Sequence, residues 1–334
     1  MKFFSLARPV AAALLGLAIV LTAGAASAQQ PKSVNPTASS VQEKQLLEAL
    51  KPGGPAALSG RVSIPDRQSG NLIQPAGKDW RAFHQRDLPR IGTYVILGSL
   101  ALIAVFFLVR GRIRIPGGPS GQLLNRFGSI DRFAHWTTAT SFILLALTGL
   151  NVTFGKQVVL PIVGPEAFTM LSQSGKYVHN YVSFAFVLGI VMMFLLWTKD
   201  NIPGPRDIMW LAKGGGLIGS GHPEADRFNG GQKGIFWSTI LGGAALAVTG
   251  YILMFPFQFT DIAGQQLANI VHGIAGVILV AIIIAHIYIG SLGMEGAFAA
   301  MGSGKVDVNW AREHHSIWAD KMARRSGGSA VPAE

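Results

Sequence analysis

The sequence predicts an all-α membrane protein: a four-helix bundle with one additional N-terminal transmembrane helix, preceded by a cleaved signal peptide. Three observations support this fold class. Of the 334 residues, 49% are hydrophobic and only 13% are charged, well below the roughly one quarter of charged residues typical of soluble domains. Five apolar segments are each long enough to cross a hydrocarbon core of about 30 Å. Histidines, but no cysteines, accompany these segments.

The N-terminus has the pattern of a secretory signal peptide, which we expect to cover residues 1–28. Lys2 and Arg8 precede and enter a short apolar stretch, and Ala26–Ala28 (A-S-A) matches an A-x-A cleavage site. The alternative is an uncleaved anchor helix. Residues 29–90 are rich in Pro, Gly, Ser and Gln and show no sustained apolar period, so they are predicted to form a loosely structured exported segment.

The five apolar segments are predicted to be helices, because in lipid every backbone N–H and C=O must find a partner within its own segment. The first is the additional helix. The other four form a bundle domain at 125–295, which is followed by a cytoplasmic tail at 296–334. The predicted spans are 91–109, 135–154, 178–197, 234–257 and 267–292.

The distribution of Lys and Arg predicts the orientation. The loops after the first, third and fifth spans are basic, whereas the loops on the other side hold only Lys156 and Lys176. The positive-inside rule places the basic loops and the C-terminus in the cytoplasm of a bacterium and the N-terminal segment in the periplasm. Arg81, Arg86 and Arg90 favour the opposite orientation, but a signal peptide overrides them. We therefore attribute the net charge of +11 to basic loops that set the membrane orientation, and no nucleic-acid partner is expected.

Four of the eight histidines lie in or at the ends of predicted spans: His135, His179, His272 and His286. Ionisable residues inside a membrane are costly and mark functional sites. His272 and His286 are fourteen positions apart, almost four helical turns, so they lie on one helix face about 21 Å apart in depth. Matching by depth pairs His179 with His272 near the outside and His135 with His286 near the cytoplasm.

Each pair is a candidate for the two axial ligands of a haem iron. The absence of cysteine excludes thiolate-ligated zinc, iron–sulfur clusters and covalently attached c-type haem. We therefore expect two non-covalent b-type haems between facing helices, forming an electron path across the bilayer. The alternative for each histidine alone is an interhelical hydrogen bond.

Two further features lie in the cytoplasmic loops. The segment Arg227–Lys233, which enters the fourth span, has backbone and amide donors suited to a quinone carbonyl beside the inner haem. From spacing alone, however, a helix-initiating turn explains it better. The His314–His315 pair in the tail is expected on a solvated surface.

The residues resemble the cytochrome b, or gamma, subunit of membrane-bound formate dehydrogenases. The resemblance covers roughly residues 125–325 and includes the fourteen-residue histidine interval. Its other motifs are Arg126-Phe127 with DRFAHW at 131–136, NIPGPRDIMWL at 201–211, RFNGGQKGIFW at 227–237 and GKVDVNWAREHH at 304–315. About 120 N-terminal residues lie outside the family pattern.

The resemblance implies that His179 and His272 bind the outer haem and that His135 and His286 bind the inner one. It also implies that quinone, the substrate, binds near the inner haem against His286, Asn229, Gly231 and Gln232. Electrons then arrive from an iron–sulfur (beta) subunit, which is supplied by a molybdenum- or tungsten-pterin catalytic (alpha) subunit that oxidises formate outside the membrane. No residue of this chain is expected to catalyse formate oxidation.

Three alternatives remain from the sequence. One is a cytochrome b subunit of a hydrogenase or another exported oxidoreductase. Another is a haem-free transporter or channel with a histidine proton relay, although the inverted repeats and broken helices typical of transporters are not evident. The third is a structural anchor, for which four depth-matched histidines would be unnecessary.

Overall fold

The computed structural model describes residues 77–216, 223–325 and 331–332, and in these ranges five helices are long and apolar enough to span a membrane. The predicted all-α fold with five spans is therefore confirmed. The predicted signal peptide and most of the exported segment lie outside the described residues. The spans cover Gly77–Arg110, Ser129–Val158, Leu160–Asn201, Gly230–Met254 and Ile262–Gly293.

The first span begins earlier than the sequence predicts. It consists of α1 (Gly77–Ala82), a π-helical turn (Phe83–Asp87) and α2 (Leu88–Arg110). The expectation of loose structure up to residue 90 is wrong for residues 77–90. Leu88 is only 4% exposed, and a Cβ on Gly273 would lie 2.7 Å from its side chain. This contact with the fifth span stabilises the start of α2, and no local pattern in the sequence reports it.

The other four spans form two helical hairpins. Helix α3 (Ser129–Val158) packs along α4 (Leu160–Trp197), and α6 (Gly230–Met254) packs along α7 (Ile262–Tyr288), while α2 packs against α7. A short helix, α5 (Pro205–Ala212), lies between the hairpins. Helix α4 starts well before residue 178, and its first turn ends in a kink at Gly164, whose φ is 80°.

Glycines allow the helices to approach closely within the bundle. A Cβ on Gly189 of α4 would collide with the Thr138 hydroxyl of α3 and lie 3.0 Å from the Thr138 backbone nitrogen. A Cβ on Gly243 of α6 would collide with Ile190 of α4. Without side chains at these two positions, the backbones of α3, α4 and α6 lie close enough to bury the apolar core.

The C-terminal residues fold against one end of the bundle. They comprise α8 (Ala299–Gly302), β2 (Lys305–Asp307), α9 (Val308–His314), α10 (Ser316–Arg325) and β3 (Val331–Pro332). Strand β1 (Gln122–Asn125) pairs antiparallel with both β2 and β3, in the order β2-β1-β3.

At this C-terminal end, aromatic residues extend the hydrophobic core of the bundle. Trp310 and Trp318 are buried with Phe127, Trp197 and Phe228 in one hydrophobic cluster. Phe127 contacts both Trp197 and Phe228, with ring centroids 5.7 and 5.8 Å apart. The segment that the sequence treats as a tail is therefore integrated into the bundle end that carries His135.

Candidate functional site

The four span histidines form two facing pairs. The ring centroids of His135 and His286 are 6.2 Å apart, and those of His179 and His272 are also 6.2 Å apart. The interplanar angles are nearly equal, 58° and 59°. Helix α7 contributes one ring to each pair, while α3 and α4 supply the partners. The structure thus brings together the combinations expected from depth.

The spacing of each pair suits axial coordination of one metal ion. Imidazole nitrogen–metal bonds are about 2 Å long, so rings that bind one ion from opposite sides have centroids about 6 Å apart. No group of three or more His, Cys, Asp or Glu residues suited to a metal ion occurs in the described ranges. A bare ion would therefore lack ligands here, whereas a porphyrin supplies its own equatorial nitrogens. The donor set fits haem.

The hydrogen bonds of His179 determine which of its ring nitrogens is available. Thr148 Oγ1 donates its hydrogen to the carbonyl oxygen of Leu144 at 2.8 Å. A hydroxyl has one hydrogen, so at the 2.7 Å contact with His179 Nδ1 the hydroxyl oxygen accepts. We therefore assign the proton to Nδ1, which leaves the lone pair of Nε2 free for an iron ion.

His272 is arranged in the same way by another threonine. Thr249 Oγ1 donates to the carbonyl oxygen of Ala245 at 2.6 Å and accepts from His272 Nδ1 at 3.0 Å. A glycine follows each threonine. A Cβ on Gly149 would lie 3.6 Å from His179 Cε1, and one on Gly250 would lie 3.3 Å from His272 Cε1. Each Thr-Gly pair thus orients one imidazole and leaves space beside it.

The other pair has different surroundings. His135 Nδ1 is buried and has no hydrogen-bond partner in the part of the chain that the structure describes. Its ring meets Trp136 edge-on, with centroids 5.2 Å apart, and Trp136 Nε1 donates to the Met301 carbonyl at 2.9 Å. The helix that carries His135 is therefore attached to the C-terminal segment.

Asp131 fixes the start of α3 one turn before His135. Its Oδ2 accepts from the backbone nitrogen of Gly128 at 3.0 Å, which caps the helix. Its Oδ1 accepts from Trp197 Nε1 at 2.6 Å and from Arg227 Nη2 at 3.4 Å. One carboxylate thus connects α3, the end of α4 and the loop that leads into α6.

The segment expected to bind quinone begins α6 as a capping box. Asn229 Oδ1 accepts from Gln232 N at 2.9 Å, and Gln232 Oε1 accepts from Asn229 N at 3.2 Å. The helix-initiating turn favoured by spacing is therefore present. A Cβ on Gly231 would lie 3.0 Å from the Trp210 ring, so Gly231 packs against α5. The described contacts of Asn229, Gly231 and Gln232 do not include His286.

A cleft lies beside this capping box, between α5 and the start of α6. Its volume is about 300 Å³, and Pro205, Trp210, Asp226, Gly230 and Lys233 are among its lining residues. Lys233 Nζ pairs with Asp207 Oδ2 at 2.9 Å. The lining includes Phe228 and Gly230, which flank Asn229 in the chain.

Comparison with known proteins identifies the family. The family model for prokaryotic cytochrome b561 matches residues 126–304, more than half of the chain. The chain belongs to the prokaryotic cytochrome b561 family. The matched range begins at Arg126 and ends at Gly304, whose backbones are joined by a 2.8 Å hydrogen bond. Membership implies a haem b cofactor and an integral membrane protein.

Curated relatives of this cytochrome are formate dehydrogenase subunits. The nitrate-inducible cytochrome b556(Fdn) subunit of Escherichia coli K12 is 32% identical over 203 residues, which are 59% of this chain and 90% of that subunit. The cytochrome b556(fdo) subunit of the same organism is 31% identical over 198 residues, 58% and 90% respectively. The Haemophilus influenzae cytochrome b556 subunit is 29% identical over 194 residues, 56% and 78%. The resemblance stated from the motifs is confirmed.

The position of His314 and His315 corrects one expectation from the sequence. They are buried in the cytochrome, with 5% and 0% exposure, rather than solvated. His315 Nδ1 donates to the Asp226 carbonyl at 2.7 Å. Burial, together with the charge of Arg126, holds the pKa of His315 well below its usual value. The surface expectation failed because α9 and α10 pack onto the loop before α6, a tertiary contact.

Sequence reasoning also missed the threonines that orient His179 and His272. A signal was available, because the pair Thr-Gly occurs in two spans, at 148–149 and at 249–250. Arg126 was noted only as part of a motif, and its burial could not be read from the sequence. Thr148 and Thr249 contact these histidines across helix interfaces, from α3 and α6 respectively.

Proposed function

We propose that this chain is the electron-transfer subunit of a respiratory formate dehydrogenase, and that it serves quinone reduction through two b haems. The observation that carries the proposal is the pair of facing imidazole sites at two depths along α7. The curated relatives, which are named as cytochrome b556 subunits of formate dehydrogenases, support the choice of complex.

His179 and His272 would hold one haem, and His135 and His286 the other. A bound haem supplies one-electron transfer in each site. The residues of this chain would orient the ligands: with Thr148 and Thr249 as partners of Nδ1, Nε2 would be the nitrogen that holds the iron. The apolar core around the rings excludes water, which also tunes the potential of the bound iron.

Quinone is proposed to bind near His286 and the start of α6, at Asn229, Gly231 and Gln232. The capping box uses the amide oxygens of Asn229 and Gln232 and leaves their NH₂ groups as donors. A cleft of about 300 Å³ lies next to this segment and is lined by Phe228, Gly230 and Lys233 among others. Reduction to quinol consumes two electrons and two protons, and the positive-inside rule supports a cytoplasmic location for this end of the bundle.

The complex requires partners outside this chain. An iron–sulfur subunit would deliver electrons to the His179–His272 end on the periplasmic side, supplied by a molybdenum- or tungsten-pterin subunit that oxidises formate. In this arrangement residues 1–28 are a signal peptide, the segment that follows is exported, and the first span is an additional transmembrane helix. Residues 125–295 form the di-haem domain in the bacterial inner membrane. Formate oxidation outside and proton uptake inside would generate a proton gradient.

The test is a reduced-minus-oxidised spectrum with haem quantitation on the purified chain. We expect two haems per chain, and finding none would overturn the proposal. One haem per chain would refute the assignment of two pairs. His135→Ala and His272→Ala should each remove a different haem, distinguishable by midpoint potential.

A matched control is His84→Ala, which changes a histidine outside the matched family region. His84 stacks on Trp80 with centroids 5.4 Å apart, so its loss should leave both haems in place. The electron donor of the co-purified complex distinguishes the hydrogenase alternative. Reduction of the haems by formate supports the proposal, whereas reduction by hydrogen would favour a hydrogenase subunit instead.

A further inference from the structure

Arg126 is a buried cation without a carboxylate partner. Arg126 is 5% exposed, and it forms no ion pair within the described ranges. Three aromatic rings surround the guanidinium: Cζ lies 5.3 Å from the Phe127 centroid, 5.1 Å from that of Trp310 and 5.3 Å from that of Trp318. Burial, with the charge of Arg227, lowers the pKa of Arg126 to about 9, so the side chain stays charged at neutral pH.

The polar contacts of Arg126 lead to the start of α6. Nη2 donates to the Arg227 carbonyl at 2.6 Å and to Gln232 Oε1 at 3.4 Å. Burying a charge is expensive unless it is paired and hydrogen-bonded. The three aromatic rings and these two hydrogen bonds offset the cost of burying the guanidinium without a carboxylate.

The contact with Gln232 determines how its amide is turned. Oε1 receives two donors, the Asn229 backbone nitrogen at 3.2 Å and Arg126 Nη2. If the amide were rotated by half a turn, its NH₂ group would face both donors, which is unfavourable because that group cannot accept. Arg126 thus helps to keep Nε2 on the side away from the capping box, as the remaining donor of the side chain.

We propose that Arg126 is a positioning residue of the quinone site, which fixes the Gln232 amide so that Nε2 donates to a quinone carbonyl oxygen. This inference rests on the proposed function, because it takes quinone to bind at residues 229–232. The positive charge behind the amide also favours the negative charge that the quinone oxygen gains on reduction. Trp310 and Trp318, which hold the guanidinium, connect the C-terminal segment to this site.

Gln232→Glu tests the donor directly. A glutamate keeps an oxygen for the Asn229 nitrogen and gives Arg126 a carboxylate, but it has no N–H. We expect haem content and thermal stability to be retained or increased. The dissociation constant for menadione, measured on the full-length holoprotein by tryptophan fluorescence quenching, should rise about tenfold, which is the loss of one good hydrogen bond.

Arg126→Lys tests the positioning. Lysine keeps the charge, but its ammonium sits on a flexible stem and replaces the planar guanidinium whose Nη2 donates both to the Arg227 carbonyl and to Gln232 Oε1. Menadione affinity should therefore fall about three- to tenfold with both haem spectra unchanged. In the Arg126→Lys background, Gln232→Glu should raise the dissociation constant for menadione by a smaller factor than in the wild type, because the amide is no longer fixed. A contact that is only structural would lower stability and leave the dissociation constant unchanged.

Arg132→Lys is the matched control. Arg132 Nη1 donates to the Gly302 carbonyl at 3.0 Å, a similar contact between the helix start and the C-terminal segment that does not touch Gln232. Its menadione affinity should equal that of the wild type. If the wild type does not bind menadione, the proposed function fails. If the wild type binds and the Gln232→Glu and Arg126→Lys variants bind equally well, the positioning inference is overturned and the proposed function stands.

Discussion

Replacing Thr148 with valine removes one hydrogen bond to a candidate haem ligand and changes almost nothing in size. In the native protein His179 Nδ1 donates to Thr148 Oγ1 at 2.7 Å, and the hydroxyl in turn donates to the Leu144 carbonyl at 2.8 Å. Valine fills the same space but has no oxygen. The Nδ1–H then loses the hydroxyl acceptor, while the helix keeps its backbone bonds.

The magnitude follows from the role of that bond. A hydrogen bond of this kind contributes about 1 kcal/mol net, and loss of the residue that orients a metal-ligating histidine typically costs about 10- to 100-fold in metal affinity. The bond makes the imidazole a more basic ligand, which favours the oxidised iron. If about 1 kcal/mol of this preference is lost, the midpoint potential of the haem rises by roughly 40 mV, since about 1.4 kcal/mol corresponds to 59 mV for one electron.

The assay is a redox titration of the visible spectrum of the purified holoprotein. We expect the haem held by His179 and His272 to shift upward and the other haem to keep its potential. Thr153→Val is the control, because Thr153 Oγ1 donates to the Gly149 carbonyl on the same helix at 3.2 Å and has no described contact with a histidine. Equal shifts of both haems, or an equal shift in Thr153→Val, would refute the reasoning.

Two further predictions concern packing and pH. Gly189→Ala should destabilise the protein by about 1–3 kcal/mol, because the new Cβ would meet the backbone nitrogen of Thr138 at 3.0 Å; thermal unfolding followed by circular dichroism measures this. Gly234→Ala, with nothing within 4 Å, is its control, and equal destabilisation of both variants would contradict the packing argument. His315 has a depressed folded-state pKa, so the unfolded chain binds a proton that the folded chain excludes. Stability should therefore be complete above about pH 6.5 and fall by up to about 1.4 kcal/mol per pH unit below it, toward the folded-state pKa. His315→Gln should lack this part of the slope in denaturant titrations at several pH values, and parallel curves for variant and wild type would disprove the assignment.

The fold was predictable from sequence wherever a single helix carries its own signal. Hydropathy finds the five spans because the bilayer imposes length and apolar composition on each one separately. It misplaces the start of the first span, and the packing of Leu88 against Gly273 of the fifth span is a contact that no local pattern reveals. It also treats the C-terminal segment as a tail, since the burial of Trp310 and Trp318 depends on partners far away in the chain.

The candidate site also has features that could be predicted from one helix and features that could not. His272 and His286 could be paired with helices by depth because their interval is a property of one helix. The orientation of each ring could not be predicted, since it depends on Thr148 and Thr249 from neighbouring helices. The sequence shows Arg126 only as part of a motif. Its burial without a counter-ion could not be predicted, because it depends on contacts in the folded structure.

The surroundings of the two histidine pairs also bear on the direction of electron flow. Both rings of the His179–His272 pair donate Nδ1–H to a threonine oxygen. His135 Nδ1 has no such acceptor among the described residues. A hydrogen-bonded imidazole is the more basic ligand and stabilises oxidised iron, so a haem between His179 and His272 is expected to have the lower potential. An electron is then more stable at the His135–His286 pair, next to the segment where quinone is proposed to bind. The same hydroxyl groups that select the nitrogen facing the iron thus favour transfer toward the quinone.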